Sequence, residues 1–280
     1  MRFFYRSRFP KLRLCTAAVI ILIILQGCAQ KPYAKTNKSY KKQVKAFAQK
    51  ISEQPSVPAD SVIRAPEQFV GTTNMSMRKP NYVMLHHTSQ DRCAQTLQTF
   101  TLPKTEVSAH YVICRDGVVY HMLNDYLRAH HAGLGKWGSV TDMNSCSIGI
   151  ELDNDGKEAY NEVQLKSLIR LLDTLKKAYS IPTANFIGHA DFAPTRKDDP
   201  GLQFPWKRLA RAGFGIWNDD SADKLPTDFD ELMALRILGY DVRNSEAAIR
   251  AFNRHYRQKN SMKLNEEDRK ALYSLMKKSM

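Results

Sequence analysis

Short apolar runs alternating with one long amphipathic segment constrain this chain more than any other feature. Tyr82–Leu85, His110–Cys114, Val118–Met122, Ser147–Leu152 and Asn185–Gly188 are each four to six residues long, the length of strands rather than helices. Between the last two, Leu165, Leu168, Ile169, Leu172 and Leu175 fall on one helical face. Asn161, with Gln164 three positions later, reads as an N-terminal capping box for that helix. Arg115-Asp116-Gly117 lies between two apolar runs, a strong hairpin signal. The alternation predicts an α/β class, a mixed central sheet flanked by helices.

The chain has 280 residues, which suits one mid-sized domain plus a smaller one. Its 42 Lys and Arg against 28 Asp and Glu give +14, favouring an anionic partner or surface. Much of that charge is local. Arg2, Arg6, Arg8, Lys11 and Arg13 precede an uncharged apolar run from Leu14 to Leu25, the layout of a signal peptide and too short for a permanent membrane span. The run ends in Leu25-Gln26-Gly27-Cys28, which resembles the lipobox of bacterial lipoproteins. That resemblance implies cleavage before Cys28, lipidation of Cys28 and, with Ala29 following, residence at the outer membrane facing the periplasm. Loss of residues 1–27 removes five positive charges and no negative ones, leaving +9 and weakening a nucleic-acid reading; no nucleic-acid partner is expected. Cys93, Cys114 and Cys146 then remain, enough for one disulfide whose pairing spacing does not choose.

Residues 28–59 read as a lysine-rich tether, in which Val44, Phe47 and Ile51 leave room for a short helix although a solvated spacer is favoured. After Trp217 an acidic polar stretch, Asn218 to Asp223, marks a boundary. Beyond it Leu232 to Leu238, Ala248 to Phe252 and Leu272 to Met276 mark three short helical segments within residues 224–280.

Seven of the eight histidines lie in or beside the strand-like runs. His189 is followed by a polar loop ending in Asp199, and His86 closes an apolar strand. Imidazole and carboxylate are good zinc ligands, and a catalytic zinc site uses three of them with a fourth position for water. Structural histidines are the alternative reading of the same spacing.

The residues Val83-Met-Leu-His-His-Thr88, Ser108-Ala-His-Tyr111, His131-Ala-Gly133, Ser147-Ile-Gly-Ile-Glu151 and His189 through Asp199 to Trp206, taken in order, resemble the type-2 N-acetylmuramoyl-L-alanine amidases, and among them the lipoprotein group. The resemblance implies one Zn²⁺ held by His86, His189 and Asp199, with Asp198 the neighbouring candidate for the last ligand. It places the catalytic carboxylate at Glu151 and the lysine beside the scissile carbonyl at Lys197. His110 and His131 are candidates to line the cleft and touch substrate, with a structural role beside the site as the equal alternative. His87, facing the other way along the strand, is expected to pack behind it, and Trp137 and Trp206 to be packing residues. The implied substrates are peptidoglycan and its muropeptides, cut between muramic acid, plain or anhydro, and L-alanine. Residues 60–218 would be the catalytic domain and 224–280 resemble a helical peptidoglycan-binding module, with membrane attachment through the N-terminal lipid. A wall-recognition protein without turnover, or a cysteine hydrolase using Cys93 or Cys146, are the competing readings; no G-x-S-x-G serine motif occurs.

Overall fold

Strands β1 (Tyr82–His87), β2 (Tyr111–Ile113), β3 (Val119–His121), β4 (Ser147–Leu152) and β5 (Phe186–Gly188) form one sheet in the order β3-β2-β4-β1-β5. β1, β2, β4 and β5 are mutually parallel, and β3 runs antiparallel at the edge beside β2. This computed structural model describes residues 32–52, 74–218 and 224–280, which divide into a unit of residues 1–74 and a unit of residues 75–280. The expected signal segment, Cys28, the rest of the tether and the 219–223 boundary lie outside the described residues.

The hairpin forms where Asp-Gly predicts it. Gly117 takes φ +82°, the Cys114 carbonyl accepts from the Gly117 amide, and the Asp116 carboxylate accepts from the Val118 amide. Parallel strands of one sheet need crossovers. The one from β4 to β5 is α3 (Glu162–Tyr179), which lays Leu165, Leu168, Leu172 and Leu175 on one face of the sheet against Val83, Leu85, Ile148, Ile150 and Phe186. The expected capping box does not form, because tertiary partners take both side chains. The Gln164 amide donates to the carbonyls of Ile113 and Asp153, while the Asn161 amide donates to the Arg115 carbonyl.

Helix α2 (Cys93–Thr99) is joined to the end of β2 by the Cys93–Cys114 disulfide, and Cys146 is left as a free, half-buried thiol. The bridge closes a loop with a sequence separation of 21. Replacing both cysteines by Ser should therefore cost about 3 kcal/mol, read as a lower midpoint in chemical denaturation.

The short α5 (Trp206–Arg211) adds Trp206 and Leu209 to the cluster on the α3 side, and the opposite face of the sheet carries the short α4 (His189–Phe192) and three C-terminal helices, α6 (Glu231–Leu238), α7 (Ser245–Arg257) and α8 (Glu266–Ser279). Each of these last three begins at a favourable kind of N-cap residue, Asp230, Asn244 and Asn265, whose side chain accepts from backbone amides. They share one apolar cluster with Met84 of β1 and Ile187 of β5, so residues 224–280 pack directly on the sheet-bearing part of the same unit.

In the first unit α1 (Ala34–Ser52) is a regular 19-residue helix with no buried residue. The helix that Val44, Phe47 and Ile51 left room for forms and is longer than a short one: lysine, glutamine and alanine, good helix formers, fill most of its positions, and no proline falls between residues 33 and 54. No described helix is long and apolar enough to cross a membrane.

Candidate active site

Strand alternation builds the site. Side chains two apart share a sheet face, so Ser147, Gly149 and Glu151 of β4 emerge on the side opposite α3, as do Met84 and His86 of β1. His86 and Glu151 are register partners on adjacent parallel strands. His87, pointing the other way, packs its ring against Gly156 and Gly201. β5 ends at Gly188, and His189 opens α4 immediately beyond it. Asp199 returns from the polar loop, with its carbonyl accepting from the Ala190 amide and the following Pro200 carbonyl accepting from the Tyr160 hydroxyl at 2.6 Å.

Three atoms converge. His86 Nδ1 lies 3.0 Å from His189 Nδ1 and 2.8 Å from Asp199 Oδ2, and His189 Nδ1 lies 3.1 Å from the same oxygen. All three residues are buried, whereas Asp198 is exposed, so geometry selects Asp199 of the two neighbours.

The hydrogen bonds around this cluster fix where the imidazole protons sit. The Ser147 hydroxyl donates to the Met143 carbonyl at 2.6 Å, so its oxygen accepts from His131 Nε2 at 3.2 Å. His131 Nδ1 is then an acceptor, filled by His86 Nε2–H at 3.0 Å, and His86 Nδ1 is left as a bare lone pair. His189 Nε2 donates to the Ala132 carbonyl at 2.7 Å, which leaves its Nδ1 bare too. Burial pulls the pKa of His86 down to about 4 and that of His131 well below the usual histidine value, so both rings are neutral at neutral pH.

Two nitrogen lone pairs and a carboxylate oxygen thus face one another with no proton between them, which is repulsive unless a cation sits among them. Their separations fall within about half an ångström of the about 3.3 Å edge of a tetrahedron with zinc-length bonds. The donor set therefore fits the divalent ion that the sequence resemblance implies. His86 and His189 each have a partner on their other nitrogen, the arrangement that orients metal-binding imidazoles.

Glu151 is partly covered, with a buried Oε2 that has no hydrogen-bond partner. Burial, then the charge of Asp199, raises its pKa well above the ordinary glutamate value, and Lys197 opposes the shift. Lys197 stands on the loop between α4 and Asp199, where its amide donates to the Ala193 carbonyl at 2.9 Å.

The two histidines expected to touch substrate are placed differently. His110 is fully buried, accepting from the Gly149 amide at 3.0 Å and donating to the Leu127 carbonyl at 3.1 Å. Both nitrogens are used, so the ring ties the start of β2 to β4 and presents no free polar atom to a ligand. His131 points into the cluster, linking Ser147 to His86. Its ring occupies the space above Gly149, where an added Cβ would come within 2.5 Å of the imidazole.

Several contributors escape a sequence reading. Asn144 Oδ1 accepts from the amides of His131 and Ala132, and the Arg196 guanidinium donates to the Ala132 and Leu134 carbonyls, so one loop is held from both sides. Ser147 was visible only as the small polar member of the Ser-Ile-Gly-Ile-Glu alternation. Trp137 and Trp206 are buried, packed on Tyr240 and on Phe204 and His255 respectively. A cysteine nucleophile has no support in the geometry. Cys93 is bridged, and Cys146 contacts Asp142 and Met143, while burial raises its thiol pKa.

A family model described as N-acetylmuramoyl-L-alanine amidase matches residues 76–202, the stretch that contains every residue of this cluster. The N-acetylmuramoyl-L-alanine amidase AmiD of Escherichia coli is 34% identical over 207 residues, covering 62% of this chain and 74% of that protein. Its solved complex with anhydro-N-acetylmuramic acid-L-Ala-D-gamma-Glu-L-Lys superposes with a TM-score of 0.65 at 28% identity, over 74% of this chain and 93% of that one. AmpDh3 of Pseudomonas aeruginosa, solved with an anhydromuramic pentapeptide, gives a TM-score of 0.65 at 28% identity, over 78% of this chain and 99% of that one. Sequence, fold and clustered donors agree, and this chain belongs to the N-acetylmuramoyl-L-alanine amidase family of enzymes.

Proposed function

We propose that the chain hydrolyses the amide between N-acetylmuramic acid, or its anhydro form, and L-alanine of peptidoglycan, with one zinc ion held by His86 Nδ1, His189 Nδ1 and Asp199 Oδ2. The single observation that carries this is the convergence of two imidazole nitrogens and a carboxylate oxygen on one buried point. When bound, zinc lowers the pKa of a water to about 7 and polarises a carbonyl oxygen.

The chain's own residues supply the rest. Glu151, one strand over from His86, accepts the proton of the attacking water and delivers it to the departing alanine nitrogen. Its elevated pKa makes it a stronger base than a solvated glutamate. The Lys197 ammonium offers positive charge to the oxygen of the tetrahedral intermediate. His131 and Ser147 hold His86 in the tautomer that turns Nδ1 toward the cluster.

Metal analysis of purified protein should find one zinc per chain. Asp199→Ala should lose it, and Ser147→Ala, which removes only the last link of the relay, should weaken zinc binding by about 10- to 100-fold in a competition titration with a chromogenic chelator. Activity that survives exhaustive chelation would sink the zinc reading, and mass analysis of products from purified wall identifies the bond cut.

Export and lipidation at Cys28 are part of the same proposal, supported by the charge and apolar pattern of residues 1–28. Mass spectrometry of the mature N-terminus should find an acylated cysteine; an unmodified residue there would remove the anchor. This would be a periplasm-facing lipoprotein of the outer membrane, acting on the adjacent wall.

A further inference from the structure

The helix α1 is amphipathic about a sharp division. At 100° per residue, Tyr40, Val44, Phe47 and Ile51 fall within an arc of about 60°. Lys35, Lys38, Lys41, Lys42, Lys45 and Lys50 occupy the opposite half, and the helix contains no Asp or Glu. Phe47 is 52% exposed and Ile51 78% exposed. The helix is about 28 Å long, too polar to span a bilayer and long enough to lie along one.

We propose that α1 is an interfacial helix that lies on an anionic lipid bilayer, with its apolar stripe among the acyl chains and its lysines at the headgroups. Three observations choose this occupant. The stripe needs an apolar phase, which the polar wall polymer does not offer. The lysine face carries six positive charges with no internal counter-charge, matching acidic headgroups. A second copy of α1 packed stripe to stripe would turn both lysine faces outward and leave them without an acidic counter-surface. The helix begins six residues after Cys28, within reach of any bilayer that held that residue. The proposal does not rest on lipidation, because it predicts binding by the polypeptide alone.

The test uses the mature polypeptide, residues 28–280, with Cys28→Ser so that no lipid can be attached. It is sedimented with vesicles of phosphatidylglycerol and phosphatidylethanolamine, with vesicles of phosphatidylcholine, and with purified wall sacculi. Partitioning onto the anionic vesicles should exceed that onto phosphatidylcholine by at least about tenfold and fall steeply with salt. Each Lys→Gln change, which keeps helix propensity, should lower it by roughly fivefold. The triple variant Val44→Ser, Phe47→Ser, Ile51→Ser should lower it by tenfold or more. Hydrolysis of a soluble muropeptide should be unchanged in these variants, which shows that the catalytic unit is intact. Equal binding to both vesicle types, or binding that survives the triple variant, overturns the proposal. Pelleting with sacculi but not vesicles assigns the helix to the wall instead, and dimerisation abolished by the triple variant without vesicle binding assigns it to a second copy.

Discussion

Glu151→Gln should leave zinc content and fold unchanged while kcat falls by about 10³-fold, the size of effect expected when a general base is removed. Gln keeps the shape of Glu151 but can neither take a proton from water nor pass one on. The native carboxyl has a buried Oε2 without a partner and a raised pKa, so its charge is costly to the fold. Linkage gives the sign. A carboxyl whose folded pKa lies above its unfolded value destabilises the protein by an amount that is full above the folded pKa, shrinks as pH falls below it and is gone below the unfolded pKa. Glu151→Gln should therefore melt at the same temperature as the parent or higher at pH 7. Wild-type kcat/KM should decline as pH falls through the raised pKa, because only the ionised carboxylate is a base. Thermal melting, zinc analysis and turnover on one preparation separate the roles: a variant that keeps its turnover removes Glu151 from the mechanism, and one that loses stability makes it structural.

What could be read from the sequence follows from the range of the physics involved. Strand positions and the Asp-Gly turn depend on neighbours within a few residues, and β1 to β5 stand within the apolar runs to one or two residues: β1 extends two further to His87, β2 and β3 are one shorter at each end, and β5 begins one later at Phe186. The failed capping box at Asn161 is a local rule overridden by distant partners: the Ile113 carbonyl lies 51 residues from the Gln164 that satisfies it. The metal candidates came from a motif order, since nothing local links His86 to a histidine 103 residues away. The relay from Met143 through Ser147 and His131 to His86 was illegible for the same reason. It depends on which nitrogen of each ring faces which neighbour, and only the folded loop decides that.

Removing residues 224–280 should destroy the folded enzyme rather than merely loosen its hold on the wall. In the native chain Leu235, Leu238, Phe252, Leu272 and Leu275 of the C-terminal helices share a cluster with Met84, Trp137, Ile187 and Phe192. Deletion would leave those partners bare on the face of the sheet that carries His86. One buried carboxylate ties the two parts together. Asp191 Oδ2 accepts from the Gly188 amide at 2.7 Å and from His255 Nδ1 at 2.8 Å, and Oδ1 accepts from the Tyr240 hydroxyl at 2.8 Å. Gly188 and Asp191 flank His189, so the C-terminal helices steady the candidate metal site through this residue. Asp191→Ala would strand three buried donors and should cost about 3–5 kcal/mol, lowering Tm by roughly 10 °C. Limited proteolysis of the chain ending at residue 223 should give rapid degradation where the full chain resists. A soluble, protease-resistant and active 223-residue product would show instead that the helices are an appendage, and only then would its adherence to sacculi report on wall binding by residues 224–280.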